Sequence, residues 1–509
     1  MKRLYPIGIQ TFSEIIDHHY LYVDKTERIH ELITTGKYYF LSRPRRFGKS
    51  LLLNTIEAIF LGNKDLFKNL WIQDQWDWSQ RHPVIHISFS DIGVNTLGLI
   101  EAIYNALDIN AKKLGLTLTA KSYDQQFREL IEKASVNGKV VILIDEYDKP
   151  LIDYLEDPQK AAQHRDIMKN FYSILKGADA YIRFLMITGV SRFSKVSIFS
   201  DLNNLNDITL STRFGAIAGI TQEELERDFA EEIGQLQQGN PSILQEIKAW
   251  YDGYSWDVKT RVYNPFSLLS FMAEPVFRNY WFATGSPSFL IKQIKGKGEF
   301  DFDNIYLGEI SLGNFDITDT LSAPLLFQTG YLTLKNYNPE LQMYELGYPN
   351  KEVKASLLDA LLSAYREVFP GDSIAVTGNL KTALLTGDIS KIIEGLNAVI
   401  STIPYDHWRA DTESIFHIIM HLTFKKIGVD VESEVHSSKG RCDVLVKTAR
   451  FIYVLELKLN GSARDALEQI LSQQYLQPYL PDERKKIALG INFSSEERAV
   501  AEYEVGGLN

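Results

Sequence analysis

Through its first third the chain alternates short apolar runs with amphipathic stretches. YYFLS (38–42), PVIHISFSD (83–91), KVVILID (139–145) and YIRFLMITGV (181–190) carry the β-branched and aromatic content of strands. The third is nearly all apolar, as a strand covered on both faces must be. Between them, DQQFRELIEKAS (124–135) and HRDIMKNFYSILKGA (164–178) have helical spacing. Strands separated by helices predict βαβ units, a parallel sheet and right-handed crossovers. The pattern changes near residue 221, where TQEELERDFAEEIGQL offers Thr221 as a helix cap with Glu224 three residues on. Aromatic, loop-rich stretches follow, then further helical segments. In the last hundred residues, TESIFHIIMHLTFKKIG (412–428) reads as a helix, RCDVLVKT (441–448) and FIYVLELKL (451–459) as strands, ARDALEQILSQQYLQPYL (463–480) as a helix and KKIALGINFS (485–494) as a strand. The expected fold class is α/β, with a parallel-sheet domain over 1–220, a mainly helical middle domain over 221–400 and a compact α/β domain over 401–509.

Composition narrows the class. The 509 residues are 45% hydrophobic and 23% charged, which excludes wholesale disorder, collagen and coiled coil and allows about three domains. Cys442 is the sole cysteine, so no intramolecular disulfide or cysteine-based zinc site can form, and a reducing cytoplasm is the expected compartment. The N-terminal MKRLYPIGIQTF lacks the apolar stretch of a signal peptide, and no run of about 18 apolar residues predicts a membrane span. A net charge of −11 excludes a wholly basic nucleic-acid coat but not a local basic patch.

Two constellations carry chemistry. RPRRFGKS (43–50) sits between a predicted strand and a predicted helix. Gly48, Lys49 and Ser50 match the end of the phosphate-loop pattern G-x-x-x-x-G-K-[ST], but Arg43 stands at the leading glycine. Backbone N–H groups there would surround phosphate oxygens, Lys49 would reach the β- and γ-phosphates, and Ser50 would ligate Mg²⁺. GKS alone fits a basic turn equally well. The second half of the pattern is VVILIDE, which places Asp145 and Glu146 at the carboxyl end of a buried strand, where ligands of parallel sheets bind. Asp145 suits a Mg²⁺ partner and Glu146 a base for the attacking water.

The other constellation is Asp443, Glu456 and Lys458. If the hairpin turns at Ala449-Arg450, facing residues sum to 899, which sets Asp443 opposite Glu456 with Lys458 on the same face. Like charges placed opposite cost roughly 0.2–1 kcal/mol, so stability gives no reason for the arrangement, whereas Mg²⁺ or Mn²⁺ held between the carboxylates removes the repulsion. Glu413 in the preceding helix could add a carboxylate, and Gln469 in the following helix could orient a phosphate or water. The bland alternative is a strand cap and solvated charges. His18, His19, His82 and His86 read as ordinary turn or strand histidines, and Arg484, Lys485 and Lys486 as a solvated turn.

These segments resemble a known family. YLYVDKTERIHELITTGKYYFLSRPRRFGKSLLLNTIEAIF (20–60), ILIDEYDKPL (142–151) and ITGVSRFSKVSIFSDLNNLNDIT (187–209) are similar to the AAA-ATPase-like family of bacterial and archaeal proteins, in which RPRRFGKS is the usual form of the loop. The resemblance implies a P-loop ATPase that binds ATP and Mg²⁺ through Arg45, Arg46, Phe47, Gly48, Lys49, Ser50 and Leu51, with Asp145. By the same analogy Thr188 is a sensor of the γ-phosphate or water, and Arg192 either an arginine finger or a surface charge. WYDGYSW (250–256), VYNPFSLL (262–269), YWFATG (280–285), LLFQTGYLTL (325–334) and LGYPNKEV (346–353) resemble the same family and read as packing and turns. GRCDVLVKTARFIYVLELKLNGSARDALEQI (440–470) resembles the PD-(D/E)xK nuclease superfamily. That implies a restriction-endonuclease-like α/β domain with a metal site built from Glu413, Asp443, Glu456, Lys458 and Gln469. The expected activity is ATP hydrolysis joined to metal-dependent cleavage of nucleic acid, DNA ahead of RNA. No membrane partner is expected, and a homo-oligomer is among the partners implied, because related ATPases often share sites between subunits. The alternatives are a nucleotide-controlled switch or a scaffold whose nuclease-like domain only binds nucleic acid or protein.

Overall fold

The computed structural model describes residues 3–192, 199, 202, 204–282, 288–313, 322–367, 374–401, 413–436 and 441–508, without the side chains of 288–289, 313, 374–377, 413–415, 433–436, 441 and 507–508. The chain divides into two compact units. The first takes in Met1–Ser286 and Phe302–Lys354, the second Pro287–Asp301 and Ala355–Asn509.

The first unit is built on five parallel strands: β1 (Tyr38–Ser42), β2 (Val84–Ser88), β3 (Val140–Asp145), β4 (Ile182–Gly189) and the short β5 (Asn206–Asp207), in the order β2-β3-β4-β1-β5. Every residue of β1 and β3 is buried, as central strands covered on both faces require. One face packs Phe127, Leu130, Phe171 and Leu175 against the sheet; the other packs Phe12, Leu53, Ile56 and Phe60. The second face includes helix α1 (Lys49–Phe60), which starts at Gly48 with φ 85°, a left-handed position that favours glycine. On the first face, helix α2 (Pro158–Gly177) has Pro158 in its first turn and Asp157 accepting from Lys160 N at 3.1 Å. The strands stop where apolar residues give way to polar ones or glycine, so the loop after Ser42, the Asp145–Glu146 turn and Thr188–Gly189 all emerge at one carboxyl edge.

The sequence leading into the middle region forms the expected capping box between Thr221 and Glu224. Helices follow, as anticipated, together with an antiparallel sheet that the hydrophobic pattern did not reveal. It comprises β6 (Ile305–Gly308), β7 (Thr333–Asn338) and β8 (Met343–Gly347), in the order β6-β8-β7. The strands are short and half exposed, with too few alternating positions to stand out.

The second unit holds a mixed sheet of β9 (Asp430–His436), β10 (Arg441–Lys447), β11 (Phe451–Leu459), β12 (Lys485–Ser494) and β13 (Ala499–Leu508), in the order β13-β12-β11-β10-β9. β11 and β12 run parallel, joined by helix α4 (Ala463–Ser472); helix α3 (Glu413–Lys426) precedes the sheet. Two strands, β9 and β13, add to the α–β–β–α–β order read from the sequence. Leu380, Leu396, Met420 and Phe424 cover one face of this sheet over Val444, Tyr453 and Leu455. Among the described residues no helix is long and apolar enough to cross a membrane.

Candidate active sites

At the carboxyl edge of the parallel sheet one carboxylate gathers two hydroxyls. Ser50 Oγ donates to Asp145 Oδ2 at 2.5 Å, and Thr188 Oγ1 donates to Asp145 Oδ1 at 2.5 Å. Parallel pairing of β3 with β4 and β4 with β1 brings the three residues together from three segments. Lys49 is buried, and its Nζ donates to the carbonyls of Arg43 and Pro44, both at 2.9 Å. Burial lowers the Lys49 pKa, opposed first by Asp145. Glu146 is half-buried with φ 48°, a left-handed strain that a non-glycine residue adopts only when its surroundings enforce it. Burial raises its carboxyl above the usual range, against the pull of Lys49. Such a carboxyl is a better proton acceptor than an exposed one.

The loop itself sorts by side chain. Arg45, Arg46 and Gly48 are exposed, and Leu51 is half-buried. The Phe47 ring is fully buried, edge-on to Tyr254 and Trp256, so only its backbone can meet a ligand. Arg43 also turns inward: its Nη1 donates to the Ser42 and Thr209 carbonyls at 2.9 Å each, and its guanidinium carbon lies 4.1 Å from the Trp256 ring centre. Arg192 is neither a surface charge nor a free finger. Its Nη2 lies 2.7 Å from Asp207 Oδ2, with both side chains largely buried.

Asp148 was missed by sequence reasoning. This buried carboxylate accepts from Val190 N at 3.0 Å and from Ser191 N and Ser191 Oγ at 2.6 Å each, fastening the end of β4 to the turn after β3. The signal was the DEYD spacing, in which the second Asp lies three residues beyond the first. An apolar pocket opens beside Gly48 and Leu51. It is lined by Leu21, Val23, Ile217, Ile220, Pro265 and Leu269 and encloses about 620 Å³ including its mouth.

In the second unit β10 pairs with β11 from Val444↔Leu455 to Lys447↔Ile452, the register in which facing residues sum to 899. The Ala449-Arg450 turn has poor intrinsic chemistry. Thr448 compensates, its Oγ1 accepting from Phe451 N at 3.0 Å while its backbone N–H donates to Phe451 O at 2.8 Å. Extending the register sets Asp443 across from Glu456. Asp443 Oδ2 accepts from Leu457 N at 2.8 Å, and its backbone carbonyl accepts from His417 Nε2 of α3 at 2.6 Å. His417 is thus a positioning group the sequence did not flag.

Glu456 is 1% exposed, which rules out a solvated surface charge. Its Oε1 accepts from Gln469 Nε2 and lies 3.5 Å from Lys458 Nζ; its Oε2 is buried without a hydrogen-bond partner. Burial, then the charge of Asp443, pushes its pKa up to about 7. Gln469 reaches this point because α4 lies directly on β12: a Cβ added at Gly490 would fall 2.2 Å from Ala463 O and 2.6 Å from Leu467 N. An orphaned carboxylate oxygen beside a second carboxylate has the chemistry of a divalent-cation site. Among the described residues no three His, Cys, Asp or Glu side chains converge as a metal-binding set. Glu413 begins α3, but its side chain lies outside the described residues.

The weaker signals resolve into ordinary structure. His18 and His19 sit in an exposed turn, and His82 Nδ1 contacts Lys139 O at 2.8 Å. His86 does have an acidic neighbour, Glu57 at 2.7 Å, supplied by α1. Arg484 is held by Asp482 at 2.7 Å and by Thr448 O, and Lys486 by Asp482 O.

The family model described as "Predicted AAA-ATPase" matches residues 6–199, and that of the PD-(D/E)XK nuclease superfamily matches residues 411–503. Over 521 residues the chain is 39% identical to the "Uncharacterized protein in vnfD 5'region" of Azotobacter chroococcum mcd 1, a match that takes in 100% of this chain and 99% of that relative. No solved structure matches the chain.

Proposed function

Because this chain belongs to the AAA-ATPase-like family and carries a C-terminal PD-(D/E)XK nuclease superfamily domain, we propose that it binds and hydrolyses ATP in its first unit and cleaves nucleic acid phosphodiesters, DNA ahead of RNA, in its second. The observation that carries the first half is the meeting of Ser50, Asp145 and Thr188 beside the buried Lys49. Lys49 and the backbone of 45–50 grip the phosphates, aided by the amino end of α1. The apolar pocket beside Gly48 takes the base. Glu146 takes a proton from the attacking water.

The unpartnered Glu456 Oε2 beside Asp443 supports the second half. Ser50 and Asp145 would hold a cation in the first unit, and Asp443 and Glu456 in the second. A divalent cation at such sites neutralises phosphate charge and lowers the pKa of bound water. Gln469 keeps the Glu456 carboxyl oriented, and Lys458 offsets charge developing on the phosphate. A second reading, a nucleotide-controlled switch whose second unit only binds nucleic acid, draws on the pair rather than triad of acidic groups among the described residues. Arg43 in place of the leading glycine would favour the scaffold alternative; its side chain is turned into the core, toward Thr209 O and the Trp256 ring, which is compatible with a phosphate-binding loop.

The test is direct. With Mg²⁺ or Mn²⁺ the chain is expected to nick plasmid or linear DNA and Asp443→Ala to abolish nicking; Lys49→Ala is expected to abolish ATP binding. Wild-type protein that cleaves nothing across a broad DNA and RNA panel yet hydrolyses ATP would favour the switch.

A further inference from the structure

Five motifs of the middle region carry no reacting group in the chemistry above, one of them only lending Pro265 and Leu269 to the apolar pocket, yet four of them touch consecutive residues of the phosphate loop and the fifth stands behind. WYDGYSW supplies Trp256, whose ring faces the Arg43 guanidinium at 4.1 Å, and with Tyr254 it boxes the Phe47 ring at 5.3 and 4.8 Å. LLFQTGYLTL supplies Gly330, where an added Cβ would sit 2.7 Å from Pro44 Cγ. YWFATG supplies Trp281, whose indole N–H donates to the Arg45 carbonyl at 3.2 Å. VYNPFSLL supplies Phe266, 4.9 Å from the Arg46 guanidinium carbon. LGYPNKEV supplies the buried Glu352, which accepts from the Trp281 backbone N–H at 2.7 Å. Tyr254, Trp256 and Trp281 are all buried.

The loop needs such support. Arg46 has φ 68°, a left-handed conformation costing a non-glycine residue about 1–2 kcal/mol. Such strain persists only where neighbours over-determine it, and here the residues on either side are held, Arg45 through its carbonyl and Phe47 through its ring. Arg43 stands where the general pattern has glycine. Its buried guanidinium anchors the same short segment whose carbonyls, from Arg43 and Pro44, hold the Lys49 ammonium.

We propose that Trp256 and Trp281 are positioning residues of the nucleotide site, fixing the phosphate loop from behind through the Arg43 guanidinium and the Arg45 carbonyl. Trp256 acts through its ring face and Trp281 through its N–H. The middle region is thereby part of the ATP-binding machinery. This inference rests on the reading of 43–50 as a triphosphate loop.

The two modes predict opposite responses to the same substitution. ATP affinity is measured by titration calorimetry on the full chain, with thermal unfolding of the nucleotide-free protein as the fold check and Lys49→Ala as the binding control. Phenylalanine keeps a ring face but has no N–H. Trp256→Phe is therefore expected to bind ATP close to wild type, Trp256→Leu to bind clearly less, and Trp281→Phe to lose about three- to tenfold, the worth of one hydrogen bond, at little change in unfolding temperature. Arg43→Gly, which restores the general pattern, is expected to weaken binding. If wild type binds ATP and Trp281→Phe binds equally well, the inference fails and the ATP reading stands; Trp281→Phe decides alone should Trp256→Leu not fold. If wild type does not bind ATP, the underlying reading falls, and this inference with it.

Discussion

Ser50 Oγ and Asp145 Oδ2, 95 positions apart in the chain, meet at 2.5 Å. The contact joins the first turn of α1 to the end of β3 and leaves Glu146, the next residue, at the same edge. Thr188 holds the other carboxylate oxygen. In the proposed function, binding and proton transfer thus fall to adjacent residues with different surroundings.

Glu146→Gln is expected to bind ATP as wild type does while turnover falls by roughly 10²–10⁴, the usual worth of a general base. Single-turnover hydrolysis beside equilibrium binding checks this. Turnover near wild type would reassign the base.

Asp148→Asn tests the fastening of β4. All three donors from Val190 and Ser191 meet one oxygen, Oδ2; a neutral amide oxygen there is a weaker acceptor than the carboxylate, so a loss of about 1–3 kcal/mol is expected in denaturant unfolding. Hydrolysis should also fall, because Thr188 lies just before the released segment.

Glu456 makes the second unit sensitive to pH. Its folded pKa of about 7 lies above the ordinary 4.5. Stability from this group is therefore fully present below about pH 4.5 and lost as pH rises toward and through 7. Unfolding temperature without divalent cation should decline across that window, with Glu456→Gln flattening the decline. Added Mn²⁺ should restore stability mainly above pH 7, where the carboxylate is ionised. A Mn²⁺ response unchanged in Asp443→Asn would remove the metal site.

Gly490 sets the approach of α4. Gly490→Ala places a methyl 2.2 Å from Ala463 O, so α4 must shift, at a cost of about 1–3 kcal/mol. Gln469 moves with it, and cleavage should fall by roughly 10–100-fold, as when a ligand's supporting partner is lost. Gln469→Ala should lower cleavage similarly with less effect on unfolding.

Much of this was legible in the chain. The four main strands of the first sheet, the facing of β10 and β11 and the Thr221 cap follow from local pattern, since apolar runs, spacing and capping chemistry act over a few residues. What escaped depends on distant partners. The burial of Glu456 comes from α4 lying close over Gly490. The inward turn of Arg43 needs Trp256, more than two hundred residues away. His417 and Asp148 bond to backbone groups, which sequence spacing does not display. Strands β9 and β13 are edge strands with polar or small residues, so the apolar signal was weak.

Thr448 has a reach that its small size conceals. Successive strand residues face opposite ways, so a slip of one position in the β10–β11 ladder would carry Asp443 and Glu456 to opposite sides of the sheet. The turn between them has no intrinsic preference strong enough to forbid that slip, and the Thr448 hydroxyl helps to hold the count from the turn end. The facing of the acidic pair is thereby supported from the far end of the hairpin as well, by a side chain that need never meet metal or nucleic acid.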